Sequence, residues 1–279
     1  MLKLVLGRSG SGKTTYLREL VRSSLREKPD RPVFLIVPEQ ASFENERAML
    51  ELLGAEDAQR VRVLSFSRLA DEAFRLYGGG AGRRLDDGGR SIFMSLALSA
   101  VGDRLDFYRR SAASGELVSL MLAISSELKL CAVAPESLTS AAGRLPEGAL
   151  RRKLREVSLI LSAYDAMVAQ SYLDPLDDLT RALPLLRENG FFRGSVAAVD
   201  SFTAFTVQEY AVLRVLLEQS EETAVSLCAD SLHDPEDGVG LFSLVKRTGR
   251  QLRSLAREAG VPVAAPVVLD PGARFRCEG

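Results

Sequence analysis

The sequence predicts an α/β protein built on a parallel sheet, with a helical domain inserted part-way along the chain. A strand, a glycine-rich loop and a helix follow one another in the first thirty residues. Strand and helix patterns then alternate, as in right-handed βαβ units, stop near residue 80 and resume near residue 190. We therefore assign residues 1–80 and 190–279 to an α/β domain, and residues 81–189 to an all-helical insertion domain.

The composition is that of an ordinary globular protein. The chain has 279 residues, of which 46% are hydrophobic, and a formal charge of -1 from 36 basic and 37 acidic side chains. This balance excludes a disordered chain, and no window reaches the ~18 apolar residues of a membrane span. Cys131, Cys228 and Cys277 form no CxxC pair, and His233 is the single histidine, which argues against disulfide, zinc and histidine-based chemistry. We expect a cytoplasmic protein with no membrane contact.

The sharpest pattern is a phosphate-binding loop. The strand Leu2–Leu6 leads into GRSGSGKT, which fits G-x-x-x-x-G-K-[ST], and an apolar stripe typical of a helix follows. Glycines let backbone N–H groups curl around a phosphate at a helix N-terminus. Lys13 can then reach the β- and γ-phosphates, and the Thr14 hydroxyl can bind Mg²⁺. The predicted ATP·Mg²⁺ site comprises Gly7, Arg8, Ser9, Gly10, Ser11, Gly12, Lys13 and Thr14.

The remaining elements follow in order along the chain. Apolar runs predict strands, and 3.6-residue periodicity predicts the helices between them. The predicted strands are Val33–Val37, Arg60–Phe66, Ser195–Asp200 and Ala224–Asp230, with helices from Glu39 to about Leu53 and from Ser67 to Tyr77. The glycines of residues 78–82 mark a joint, and residues 88–188 show helical stripes without a convincing strand.

A phosphate-binding loop needs an acidic partner for its metal ion, usually at the end of another buried strand. Asp200 ends such a strand, so we predict that Thr14 and Asp200 hold the metal and that Asp200 completes the nucleotide site. Asp230, at the end of the next strand, is a lesser candidate. The residue after Asp200 is Ser201, which cannot act as a carboxylate base toward water.

Four blocks of sequence carry a resemblance to a known family. They are LKLVLGRSGSGKT, IVPEQASFENERAML, VLSFSRLADEAF and VAAVDSFTAFTVQEYAVLRVLL, in that order from residue 2 to about residue 217. Together they resemble the N-terminal part of AddB, which belongs to the bacterial AddAB (RexAB) ATP-dependent helicase–nuclease. The resemblance implies a P-loop NTPase fold like domain 1A of superfamily-one helicases, with a helical 1B-like insertion.

The resemblance also implies ligands, partners and the extent of the whole protein. DNA, in double-strand-break repair, and an A subunit that is a helicase–nuclease are the expected partners. Under this resemblance the chain is a fragment. The second motor domain, the nuclease and an iron–sulfur cluster belong to the missing C-terminal part, so the three cysteines present are not cluster ligands.

Individual motifs transfer to residues of this chain. By resemblance Gly7–Thr14 is motif I, Glu39–Ala41 motif Ia, Ser65–Arg68 motif Ib, Asp200 motif II, and Leu227–Asp230 a decayed motif III. The DNA-binding residues so predicted are Gln40, Ser65, Phe66 and Arg68. Ligands of α/β sheets bind at the carboxyl ends of the strands, where an aromatic ring can stack on a base. Core packing is an equally good interpretation of Phe66.

Departures from the helicase pattern limit the expected activity. The chain has Asp200-Ser201 where a working helicase has Asp-Glu, and it lacks a glutamine near Asp230. We therefore expect binding of ATP and DNA with little or no hydrolysis by the chain itself. An autonomous P-loop kinase or ATPase, with the helical region as its lid, is the alternative.

Several short basic runs admit two interpretations, as contacts to DNA phosphates or as solvated helix faces. They are Arg83-Arg84, Arg109-Arg110, Arg151-Arg152-Lys153 and Arg155.

Overall fold

A computed structural model describes residues 1–233 and 238–270 of the chain. It divides into two compact units, the first formed by Met1–Gly78 with Ala182–Gly279 and the second by Gly79–Arg181. Cys277 lies outside the described residues.

The elements of the described residues are numbered in chain order. The strands are β1 (Leu2–Leu6), β2 (Val33–Ile36), β3 (Val61–Leu64), β4 (Arg83–Arg84), β5 (Tyr172–Leu173), β6 (Val196–Val199), β7 (Glu222–Leu227) and β8 (Val267–Val268). The α-helices are α1 (Lys13–Glu27), α2 (Ser42–Ala58), α3 (Phe66–Tyr77), α4 (Asp87–Val101), α5 (Gly115–Leu130), α6 (Pro135–Gly143), α7 (Ala149–Val168), α8 (Asp178–Glu188), α9 (Val207–Gln219) and α10 (Ser243–Glu258).

The first unit is built on a six-stranded sheet in the order β3-β2-β6-β7-β1-β8, and all of its strand pairs are parallel. Parallel sheets carry helices on both faces, so their strands are apolar on both sides. Accordingly every residue of β2 and β6 is buried. The predicted α/β class with a parallel sheet is confirmed.

The strand and helix limits differ from the predicted ones for local reasons. The third strand ends at Leu64 rather than at Phe66, because the Ser65 hydroxyl accepts a hydrogen bond from the Arg68 N–H and caps α3. A 3₁₀ turn over Glu39–Ala41 precedes α2, and α2 continues to Ala58 through a kink at Gly54, where φ is 79°.

The second unit packs its helices around a buried core that includes Tyr164, Met94 and Met121. The expectation that residues 81–189 are all-helical is wrong in one detail. Strands β4 and β5 pair in parallel, and the Leu85 N–H extends the ladder to the Leu173 carbonyl at 2.9 Å. Two residues are too few to show an alternating pattern, so sequence periodicity could not reveal these strands.

No single helix of residues 1–233 and 238–270 is long and apolar enough to cross a membrane. Helices α5 and α6, which meet at 93°, have the length and apolar composition of a membrane span only when they are counted as one segment.

Candidate functional site

The glycine-rich loop leaves β1 at the carboxyl edge of the sheet and enters α1 at Lys13. Gly10 and Gly12 have φ values of 76° and 88°, a left-handed conformation that favours glycine. At Gly7 the constraint is space, since a Cβ atom there would lie 2.2 Å from the Ser11 Oγ atom. Backbone conformation therefore favours glycine at two positions of the loop, and close packing favours it at the third.

Lys13 is held by the loop that precedes it. Its ammonium donates to the carbonyl oxygens of Gly7 at 2.7 Å and Arg8 at 2.8 Å. The Ser11 hydroxyl of the same loop is buried without a hydrogen-bond partner. Among the described residues, the loop thus carries a positioned ammonium at Lys13 and, two positions earlier, a buried hydroxyl without a partner at Ser11.

Asp200 lies at the centre of the site and is only 3% exposed. It accepts hydrogen bonds from the Thr14 hydroxyl at 2.8 Å and from the Ser226 hydroxyl. Strand β7 lies between β1 and β6 and places Ser226 between the two motifs. Within the described part of the chain, no ion pair to Asp200 is found, so hydroxyl groups alone face its charge.

The role of Ser226 was not predicted from the sequence. The available signal was a hydroxyl residue inside the apolar strand β7, whose last five residues are all buried. A buried hydroxyl requires a hydrogen-bond partner, and the carboxylate of Asp200 at the end of the neighbouring strand supplies it.

Ser201 follows Asp200 with an exposed side chain and a φ of 68°. This left-handed conformation is uncommon for a residue other than glycine. The residue after Asp200 therefore combines a left-handed backbone with a hydroxyl side chain in place of a carboxylate.

Asp230 has a different environment from Asp200. Its carboxylate lies 3.5 Å from the Arg8 guanidinium and 3.3 Å from the Lys246 ammonium. Desolvation raises the pKa of Asp230, but the hydrogen bond and charge of Lys246, with hydrogen bonds from Arg8 and the Ser231 backbone, outweigh it and lower that pKa overall. Arg8 also lies 6.0 Å from the centre of the Phe242 ring. Arg8 of the loop is therefore paired with an acid rather than free.

The predicted DNA-binding residues at the ends of β2 and β3 are engaged by two carboxylates. Glu39 accepts hydrogen bonds from the Ser65 and Ser67 hydroxyls, and these bonds lower the pKa of the Glu39 carboxyl. Arg68 forms an ion pair with Glu46. Gln40 is exposed in the 3₁₀ turn. Any anion that binds here must compete with these acids.

Phe66 is 5% exposed, and its ring contacts the rings of Phe202 and Phe205 at 5.5 and 6.2 Å between centroids. This burial favours the packing interpretation of Phe66. Stacking on a base stays a prediction.

Comparison with known proteins places this chain in a family. The family model described as "ADDB, N-terminal" matches residues 4–278. The chain belongs to the AddB N-terminal family. It is 36% identical over 281 residues to the B subunit of the ATP-dependent helicase/deoxyribonuclease of Desulforudis audaxviator, covering 99% of this chain and 24% of that protein.

Relatives of the same name in other bacteria agree with this assignment. The Acetivibrio thermocellus protein is 32% identical over 276 residues, and that of a Thermoanaerobacter species is 31% identical over 277 residues. In both, the match covers 99% of this chain and 24% of the relative. This AddB N-terminal chain therefore spans about a quarter of the length of the curated relatives that it matches.

Proposed function

We propose that this chain is the nucleotide- and DNA-binding part of a helicase–nuclease subunit, with the 1A-like and 1B-like arrangement of a superfamily-one helicase. The 2.8 Å hydrogen bond between Thr14 and Asp200 is the observation that supports it most directly. It joins the residue that ends the glycine-rich loop to an acid 186 positions later. Membership of the AddB family favours this function over an autonomous kinase or ATPase with a helical lid.

The residues present fit a Mg²⁺·ATP complex. Magnesium is held in such sites by one or two carboxylates, with phosphate and water oxygens completing the octahedron. No group of three or more His, Cys, Asp or Glu side chains arranged for a metal occurs in the described residues. In our proposal Asp200 and Thr14 hold the ion, while Lys13 and the loop N–H groups hold the phosphates.

The same site lacks groups that hydrolysis requires. Catalysis of phosphoryl transfer to water needs a residue that orients the water, and an arginine finger alone can be worth ~10³-fold or more. Ser201 stands where the carboxylate is expected, and Arg8 is paired with Asp230. We therefore propose that the chain binds ATP weakly and turns it over negligibly, the missing arginines belonging to a second motor domain.

The whole assembly is proposed from the name that the relatives share. A protein named as one subunit of an enzyme implies a partner, which we take to be an A subunit with its own helicase and nuclease activities. We place both in a cytoplasmic complex that processes DNA double-strand breaks. An exonuclease domain with an iron–sulfur cluster would belong to the remaining three-quarters of the full-length protein.

Calorimetric titration with ATP·Mg²⁺ tests the nucleotide site. We expect binding that Lys13→Ala weakens at least about tenfold, because a charge-assisted contact to phosphate is lost. Lys153→Ala, which removes a lysine of the helical unit, is the matched control and should bind like the unchanged chain. Steady-state assays should show no turnover with or without DNA. Brisk hydrolysis that Asp200→Asn abolishes would instead establish an autonomous enzyme.

Fluorescence anisotropy with a labelled single-stranded oligonucleotide at low salt tests the proposed DNA edge. We expect weak, strongly salt-dependent binding. The double change Gln40→Ala with Arg68→Ala should weaken it, whereas Arg47→Ala, which removes an exposed arginine paired with Glu51, should not. Equal affinities of all three proteins would place DNA elsewhere.

A further inference from the structure

A groove in the helical unit presents two guanidinium groups that have no partner among the residues the structure describes. It has a volume of about 560 Å³ and is lined by Arg104, Glu136, Thr139, Ser140, Arg155, Ser158, Leu159 and Ser162. Residues 155, 158, 159 and 162 lie on one face of α7, and residues 136, 139 and 140 lie on one face of α6. The groove therefore follows the seam between two packed helices.

The structure separates the basic residues of this region into paired and unpaired ones. Arg151 pairs with Glu147 at 2.8 Å, and Arg152 pairs with Asp106 at 3.3 Å. Lys153 lies over the Phe107 ring, 4.5 Å from its centre. Most of this basic run is therefore engaged in contacts within the fold.

Arg155 and Arg104 differ from that run. Among the contacts of residues 1–233 and 238–270, neither guanidinium has an ion pair, a hydrogen bond or a ring contact. Both side chains belong to exposed residues that line the same groove. Two arginines converging on one concave surface without a carboxylate partner leave up to ten N–H donors available to an anion.

The other polar groups of the groove are already satisfied. Thr139 donates to Ser158 at 2.8 Å, and Ser158 donates to the Pro135 carbonyl at 2.7 Å. The Glu136 carboxylate accepts from Ser162 at 3.0 Å. The free hydrogen-bonding capacity thus comes from the arginines, and the side chains that line the groove carry two positive charges against one negative charge.

We propose that this groove is a binding site for the phosphodiester backbone of single-stranded DNA, with Arg104 and Arg155 as its phosphate contacts. Guanidinium groups bind phosphate oxygens in a bidentate manner, and such contacts position a strand without reading its sequence. The proposal rests on the proposed function, since DNA is the ligand that the relatives' name implies. It adds a contact surface that lies wholly within the helical unit.

The test uses the full chain and a labelled oligothymidylate. The double change Arg104→Gln with Arg155→Gln should weaken binding about tenfold at low salt and reduce the slope of log affinity against log salt by about 1.4, the value for two single-strand phosphate contacts. The matched control, Arg151→Gln with Arg152→Gln, removes the same charge from paired arginines and should leave the slope nearly unchanged. With an oligonucleotide whose backbone is neutral methylphosphonate, the two double variants should bind with equal affinity.

The outcomes separate this proposal from the one on which it rests. If the unchanged chain binds DNA and the two double variants lose affinity equally, or neither loses any, the proposed groove site is overturned and the proposed function is not. A chain that binds no oligonucleotide overturns both the groove and the DNA part of the proposed function, while nucleotide binding is tested independently. Polyglutamate is the competing ligand. If the chain binds it as tightly as DNA, and only the Arg104→Gln, Arg155→Gln variant loses that affinity, the groove is an acidic-peptide site and the DNA assignment is refuted.

Discussion

Asp200 in the sheet unit and Asp174 in the helical unit are both buried carboxylates, but their surroundings differ. Asp174 has a fully buried side chain 3.1 Å from the Lys129 ammonium and 3.7 Å from the Arg90 guanidinium. Asp200 faces two hydroxyls and no cation in the described residues. The charge of Asp174 is balanced by cations of the fold, whereas the described residues place no cation within ion-pair distance of Asp200.

The difference shows how burial alone fails to identify a functional acid. Removing an ion from water costs several kcal/mol unless a partner compensates. Around Lys129, Asp174, Asp177 and Asp165 lie at 3.1, 2.5 and 3.4 Å, so this cluster compensates internally and stabilises the helices. At Asp200 the uncompensated charge is the physical argument for a bound cation.

Lys129→Met should give the largest effect. Burial alone lowers the pKa of Lys129, but the Asp177 hydrogen bond and the charges of Asp165, Asp177 and Asp174 outweigh it and raise that pKa. Loss of the cation leaves the buried Asp174 with the more distant Arg90, and it removes the ion-pair partner of the half-buried Asp165 and Asp177. We therefore expect about 3–5 kcal/mol of destabilisation of the helical unit. Hydrogen exchange of α7 amides and urea denaturation measure it, with Lys153→Met as the surface control. A cost below about 1 kcal/mol would make the cluster equivalent to a surface ion pair.

The same cluster has a definite pH dependence. Because the folded pKa of Lys129 is raised, its contribution is fully present below the unfolded pKa of about 10.4 and declines as the pH rises through the folded value. Denaturation midpoints above about pH 10 should fall in the unchanged chain, and the part due to Lys129 should be absent from Lys129→Met. An identical alkaline decline in both proteins would remove Lys129 as its source.

Glu156→Gln should give an intermediate effect. This buried carboxylate accepts backbone hydrogen bonds from Asp106 at 3.0 Å, Phe107 at 2.8 Å and Tyr108 at 3.0 Å, so peptide dipoles balance its charge. We expect a loss of about 2 kcal/mol of unfolding free energy, the value of hydrogen bonds to a charged group. Glu116→Gln at an exposed position is the control. A neutral result would show that the amide side chain satisfies the three N–H groups equally well.

Asp200→Asn should have the smallest effect on stability and a large one on ligand binding. Without a cationic partner the carboxylate gains little from its charge, so we expect unfolding free energy to change by less than about 1 kcal/mol. The magnesium dependence of ATP binding should disappear in calorimetry. A strongly destabilised variant would show that Asp200 is structural, like Asp174, and would remove the contrast between the two acids.

The sheet was more predictable than the contacts within it. Predominantly apolar runs identified β1, β2, β3, β6 and β7, because strands buried on both faces have little choice of residue, although Arg62 of the edge strand β3 is exposed. The strands β4, β5 and β8, each two residues long, carry no pattern that periodicity could detect. The same limit applies wherever pairing depends on tertiary position rather than on a repeated local pattern.

The site was predictable where a motif fixes both residue type and backbone. Lys13 and Thr14 follow from the glycine-rich loop, and Asp200 follows from its place at a strand end. Ser226 and the pairing of Glu39 with Ser65 and Ser67 depend on which strands are neighbours, which one sequence does not reveal. Likewise the charge run at residues 151–155 could not show that, among the described residues, Arg151 and Arg152 have acidic partners whereas Arg155 has none.

The strand order has a consequence for how the chain folds as it is made. Strand β1 pairs only with β7 and β8 in the described sheet, and Leu2 lies opposite Thr223. At synthesis rates of roughly 5–20 residues per second, the first strand waits roughly 10–45 s for its first partner, while β2 and β3 can pair much earlier. During that interval the apolar residues of β1 lack the strand partner beside which they are buried in the described sheet. The glycine-rich loop that follows β1 therefore gains a paired strand beside it only after Glu222–Leu227 has been synthesised.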